Sequence, residues 1–234
     1  MKIRWGIILL VVGFLLLCLA VNAGETVINQ QQSMLPVYTL DKHPSKNSCV
    51  DVYTLSSDQA VYVRDVSEFP LEPLNGTPFH RKIGRTSEDL EIFSIPENDN
   101  YVIVRSIYGF QPEVYRKKSA PPIHLATLAS LDVNEIVFSD FNKMDRKKLW
   151  SSKDAALIQD ILQALDQPWK KLPQPWETHT YRVDLLSDQI KGLSYYLMVD
   201  DHENGQIYFY TYEHPGRVVT VGDLFSRSIR TRKH

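Results

Sequence analysis

From residue 49 to about 116, apolar and polar positions alternate with a period close to two, the pattern of half-buried strands. Val50, Val52 and Thr54 alternate with Asp51 and Tyr53, and a second run over 60–64 follows the turn Ser56-Ser57-Asp58. Residues 66–80 read as loop, given Pro70, Pro73, Asn75-Gly76 and Pro78. Strands are predicted at 90–95 and 101–107, joined across residues 96–100, and a short one at 113–116. Beyond Ala120-Pro121-Pro122 the period lengthens. A helical turn or two is expected over 123–130 and a strand at 134–139. Leu157, Ile158, Ile161, Leu162 and Leu165 then recur at helical spacing, with Gln159, Asp160 and Gln163 on the other face. Ser151-Ser152-Lys153-Asp154 has the spacing of a capping box, and Pro168 ends the helix. Strands follow at 181–186, 194–199 and 206–212, the last two a hairpin over residues 200–205. A strand at 218–221 and a short helix from Asp223 through Ile229 complete the chain.

These elements predict an α+β fold. A mostly antiparallel β-rich half spans 49–118 and a connector spans 119–133. A β-α-β-β-β-α unit over 134–230 then packs one main helix on an antiparallel sheet.

Ahead of the fold stands a segment of a different kind. Lys2 and Arg4 precede an uncharged 16-residue run, 6–21, which Asn22-Ala23-Gly24-Glu25 breaks. This is the tripartite pattern of an export signal. As a helix the run spans roughly 24 Å, short of a hydrocarbon core of about 30 Å. Val21 and Ala23 suit cleavage before Gly24, so residues 1–23 read as a signal peptide or, uncleaved, as a signal anchor extended by Trp5. A third fate, lipidation at Cys18, meets the bulky Leu17 before it. In each case the remainder is expected outside the cytoplasm. Residues 24–48, polar and carrying Gln30-Gln31-Gln32, Pro36 and Pro44, read as a linker with a loosely attached strand at 34–40.

The stretch from Asn134 to Ile229, with its Ser-capped amphipathic helix and a meander containing Tyr195-Tyr196-Leu197, resembles the C-terminal unit of exported, membrane-anchored proteins of spore-forming Gram-positive bacteria. The resemblance implies a location and a fold; it brings no activity with it.

Charge and composition narrow the function further. The chain has 234 residues with 26 Lys and Arg against 28 Asp and Glu, which gives no basic excess for nucleic acid to follow. Two cysteines support neither a disulfide framework nor a thiolate zinc site. With Cys18 in the signal, Cys49 stands alone as a small buried hydrophobe or an interchain thiol. Asp200-Asp201-His202-Glu203-Asn204-Gly205 has the beginning of a calcium loop, yet Thr211 stands where the bidentate carboxylate belongs and His202 replaces an oxygen donor. It reads as an acidic hairpin turn. Gly192-Leu193-Ser194 lacks the second glycine of a nucleophile elbow, and His202-Glu203 lacks a second zinc histidine. No metal, cofactor or catalytic residue is therefore expected.

The candidate binding residues are aromatic. Pro168-Trp169 and Pro175-Trp176 fall seven residues apart in a segment that also carries Lys170 and Lys171. Tyr208, Tyr210 and Tyr212 share one strand face by period two, with Ile207 and Phe209 on the buried one. Such residues form platforms that stack on sugars or anchor a partner; a Trp covering a helix end and an ordinary tyrosine ladder are the structural alternatives. The basic run Arg227, Arg230, Arg232 and Lys233 can touch anionic headgroups or wall polymer, or simply be solvated. The expectation is thus a membrane-tethered, non-catalytic binding or accessory protein of the bacterial envelope, meeting an envelope protein or wall polymer. The rivals are a small envelope hydrolase using groups such as His179, His202 and His214, and a structural subunit of a membrane complex.

Overall fold

The computed structural model describes residues 35–43, 52–64, 71–74, 81–106, 112–141, 147–171, 178–202, 205–211 and 216–232. Of these, 55% lie in strands and 19% in helices, so the α+β expectation is corrected: the protein is mostly β, a closed seven-stranded barrel joined to a second sheet. The signal segment, Cys49, Trp176, Tyr212 and His214 lie outside the described residues.

The first eight strands are β1 (Val37–His43), β2 (Val52–Ser56), β3 (Val61–Arg64), β4 (Leu71–Pro73), β5 (Lys82–Thr86), β6 (Leu90–Ile95), β7 (Asn98–Ser106) and β8 (Glu113–Lys117). The barrel order is β1-β2-β3-β8-β7-β6-β5. Closure comes from β1, the segment that reads as a loose strand of the linker. It pairs antiparallel with β2 and parallel with β5, setting Val37 across from Arg85 and Tyr38 across from Thr86. Gly84 makes the approach feasible, because a Cβ there would stand 2.5 Å from the Tyr38 ring. Tyr38, Leu55, Tyr62, Ile92, Val102, Val104 and Tyr115 fill the interior. Burial beside Glu113 raises the Tyr115 phenol well above its ordinary range.

The remaining strands are β9 (Glu135–Asp140), β10 (Lys147–Ser152), β11 (Lys170–Lys171), β12 (Thr178–Leu186), β13 (Leu193–His202), β14 (Ile207–Tyr210) and β15 (Arg217–Thr220). They order as β10-β9-β12-β13-β14-β15-β11, with β4 added to β13. Two helices, α1 (Ala155–Leu165) and α2 (Asp223–Arg232), and a 3-10 turn over Leu125–Leu131 share one core with this sheet. The main helix is therefore one part of a thin helical layer. Its cap also differs from the expected box: Ser151 and Ser152 belong to β10, and Asp154 caps α1 by accepting from the Ala156 amide at 2.9 Å. Asp160 of α1 in turn accepts from the Phe225 amide at 2.9 Å, tying α2 to α1.

Alternation along the barrel strands explains the joint between barrel and sheet. Phe93, Ile95, Tyr101, Ile103 and Val114 alternate with the interior residues and enter the same core as Leu128, Leu131, Leu193 and Tyr195. β4 leaves the barrel sequence and pairs with β13, Glu72 opposite Ser194, so a strand from the first half of the chain joins the second sheet. Asn98 Nδ2 donates to the Lys191 carbonyl at 3.4 Å, and Lys191 Nζ meets Glu97 at 2.5 Å.

Candidate functional site

Strand geometry gives the second sheet two chemically different faces. Tyr181, Val183 and Leu185 of β12, Leu193, Tyr195, Leu197 and Val199 of β13, and Ile207 and Phe209 of β14 belong to the apolar core with the helices. The intervening positions form a polar far face: Thr180, Arg182 and Asp184 of β12, and Ser194, Tyr196, Asp200 and His202 of β13.

Arg182 anchors this face with only 2% of its surface exposed. Its Nε donates to Asp184 Oδ1 at 2.9 Å, one terminal nitrogen bonds the same oxygen, and the other donates to Glu72 Oε2 at 2.7 Å. The guanidinium carbon lies 4.0 Å from the Tyr196 ring centre. Ser194 Oγ donates to Asp184 Oδ1 at 2.7 Å. Burial alone would lower the guanidinium's pKa, but the Asp184 and Glu72 carboxylates outweigh it and raise it. The network joins β4, β12 and β13, and its polar atoms are engaged with one another. The Ser194 hydroxyl bonds a carboxylate and a guanidinium, which is an arrangement for fixing strands.

Toward the other end of β12 and β13, Thr180 Oγ1 donates to Asp200 Oδ1 at 3.0 Å. Burial raises the Asp200 carboxyl, opposed by that hydrogen bond and by His202. The His202 ring meets Tyr208 edge-on at 5.2 Å. Ser194 and His202 lie eight residues apart on β13, about 26 Å in a strand, so this hydroxyl and imidazole do not meet. His179 packs on Tyr181 of the opposite face, with Nε2 3.5 Å from Asp140 Oδ1. The histidines of the hydrolase reading are thus on different faces where they are described. Among the described residues, no group of three or more His, Cys, Asp or Glu could hold a metal ion, and no helix is long and apolar enough to cross a membrane.

Of the described aromatic candidates, Trp169 lies with the helix-side core and Tyr208 and Tyr210 lie on the other face of the sheet. Trp169 is half-buried against the helix-side core, and its Nε1 donates to the Leu165 carbonyl at 3.3 Å. It covers the C-terminal end of α1 and satisfies a carbonyl that the helix leaves open. Tyr208 and Tyr210 are half-buried on the far face; Tyr208 donates to Gln206 Oε1 at 2.7 Å. The C-terminal arginines are partly engaged as well. Arg230 donates to the Gly205 carbonyl at 2.5 Å and Arg227 to the Asp223 carbonyl at 3.3 Å.

Sequence reasoning passes over Arg182, Asp184 and Glu72, and weighs Ser194 only as a nucleophile. Arg182 and Asp184 alternate with Tyr181, Val183 and Leu185 as on any polar outer strand face, so no local signal marks them as buried. The fold and its polar face define a mostly-β protein of two joined strand systems, held together by a buried arginine and flanked by half-exposed tyrosines. No protein-family model, characterised protein or solved structure matches the chain.

Proposed function

We propose that the protein is an exported, membrane-tethered, non-catalytic binding or accessory module of the bacterial cell envelope, and that its partner docks on the far face of the second sheet at Tyr208 and Tyr210. The observation that carries this reading is the placement of both half-exposed tyrosines on a face stiffened from within by the Arg182 network. Rigid aromatic side chains on a rigid strand supply contact area at small entropic cost. The apolar segment 6–21 supplies the tether.

The test is retention of the full-length protein, solubilised in mild detergent, on isolated bacterial envelope fractions. Tyr208→Ser with Tyr210→Ser should cut retention severalfold while the far-UV circular dichroism stays unchanged. Unaltered retention of this double variant would sink the far-face reading. Fractionation of expressing cells with intact-mass analysis tests the location: recovery of the chain in the cytoplasm would overturn the export proposal.

A further inference from the structure

We propose that the β11–β15 edge of the second sheet is a binding surface for an anionic glycopolymer, a saccharide chain bearing phosphate or carboxylate groups. The inference rests on the binding-module reading above and names the partner's chemistry.

The residues that point to it are Lys170, Lys171 and Arg217, all exposed. β11 is two residues long and pairs antiparallel with β15, setting Lys170 across from Val218 and Lys171 directly across from Arg217. Like charges opposed on neighbouring strands destabilise the pairing. Here they oppose each other in one of the shortest pairings of the sheet, where few other contacts offset the repulsion. None of the three cations forms an ion pair with a described residue. The other edge of the same sheet is built in the usual way: Lys147 of β10 stands across from Asp140, and Lys153 lies 3.6 Å from Glu135. In the barrel, Lys82 and Arg105 both meet Glu91 and Arg64 meets Glu113. A protein with more acidic than basic residues therefore leaves three cations together at one edge. A bound polyanion would relieve the Lys171–Arg217 repulsion.

Placement also favours a polymer over a bilayer. Extending the β14–β15 register of Tyr208 with Thr220 and Phe209 with Val219 by one residue brings Tyr210 toward the buried Val218, which lies across from Lys170. Lys170 and Tyr210 are thus on one face, two strands apart, so a saccharide can lie on the tyrosine while its anionic groups reach the edge. A membrane surface would call for apolar side chains to insert beside the cations. Among the described residues, the exposed large apolar side chains are elsewhere: Phe141 and Leu149 near the opposite edge, Val37 on the barrel and Leu224 on α2.

The experiment measures binding of the full-length protein in mild detergent to dextran sulfate, with neutral dextran and phosphatidylglycerol-containing vesicles as the other arms. Dextran sulfate should bind with an affinity that falls as salt rises, and neutral dextran and vesicles should bind far more weakly. Replacing Lys170, Lys171 and Arg217 together by Gln should weaken binding by about tenfold or more, because each cation near a polyanion contributes severalfold. Lys147→Gln with Lys148→Gln, at the opposite edge, should leave it within about twofold. Lys171→Glu should weaken dextran sulfate binding and raise Tm by about 1–3 °C, since it turns a repulsive cross-strand pair into an attractive one. The proposal is overturned by any of four results: no binding by the wild type, equal binding by the triple variant, an equal loss in the opposite-edge variant, or a Lys171→Glu variant whose Tm does not rise. Preference for vesicles over dextran sulfate would also overturn it. Retention on envelope fractions that survives the triple variant but is lost with the tyrosine variant would refute the polymer while leaving the binding module standing.

Discussion

A guanidinium with 2% exposure needs every donor answered, because an ion left unpaired away from water costs several kcal/mol. Arg182 meets that demand with Asp184, Glu72 and the Tyr196 ring. Arg182→Met should destabilise the protein by about 3–5 kcal/mol, since it strands the Asp184 carboxylate. Adding Asp184→Leu should return much of that loss, because an apolar pair needs no partners. Urea unfolding of the two variants measures both values, and a double variant as unstable as the single one would contradict the account. Ser194 is tied to the same carboxylate, so substituting it alone should cost less than removing the arginine.

Between elements, one carboxylate links three strands of the barrel. Glu91 of β6 bonds Arg105 of β7 at 2.8 Å and Lys82 of β5 at 2.9 Å. Hydrogen bonds from Arg105 and Lys82 hold its carboxyl below the ordinary glutamate range. A depressed folded-state pKa gives stability that is fully present above the unfolded value and is lost as pH falls through the folded one. The stability gap between the wild type and Glu91→Gln should therefore be constant at neutral pH. It should narrow once the pH enters the ordinary glutamate range and vanish below the depressed value. Urea titrations across acid pH measure it, and a gap that widens on acidification would contradict the sign. The helical elements show the same dependence on neighbours. Gly222 lies against the Asp160 carboxylate, so Gly222→Ala would displace the group that caps α2 and should cost about 1 kcal/mol or more of stability by urea unfolding.

For the whole molecule, the decisive feature is that the barrel's outward residues enter the core of the sheet. Phe93, Ile95, Tyr101, Ile103 and Val114 have no separate core to fall back on. β4 adds backbone pairing across the joint, and Glu72 adds an ion pair. The two strand systems should unfold in one transition, with a calorimetric enthalpy equal to the van't Hoff value. Ile103→Ala, fully buried at the joint, should lower stability by about 2–5 kcal/mol without splitting that transition. Two resolved calorimetric peaks would show that barrel and sheet are independent.

Local patterns carried the reading where a structure depends on local spacing. The amphipathic repeat of Leu157, Ile158, Ile161 and Leu165 falls on α1, and the alternations of 90–95 and 113–116 fall on β6 and β8. The division of β14 into Ile207 and Phe209 on one face and Tyr208 and Tyr210 on the other follows from period two alone. Tertiary structure decided everything that joins distant segments. Whether β1 is a linker strand or the closing stave of a barrel depends on Val37 and Tyr38 meeting Arg85 and Thr86 of β5, far along the chain, which no local period encodes. The same holds for β4, three residues in a proline-rich stretch that become a strand because β13 offers an edge. Alternation places Arg182 on a far face that would ordinarily be wet; only the packed chain makes that face dry and brings Glu72 to it across 110 residues. The opposed Lys171 and Arg217 are likewise products of register. Sequence determines which faces each segment has, while pairing across long loops decides which faces meet, because that choice is settled by the free energy of the whole chain.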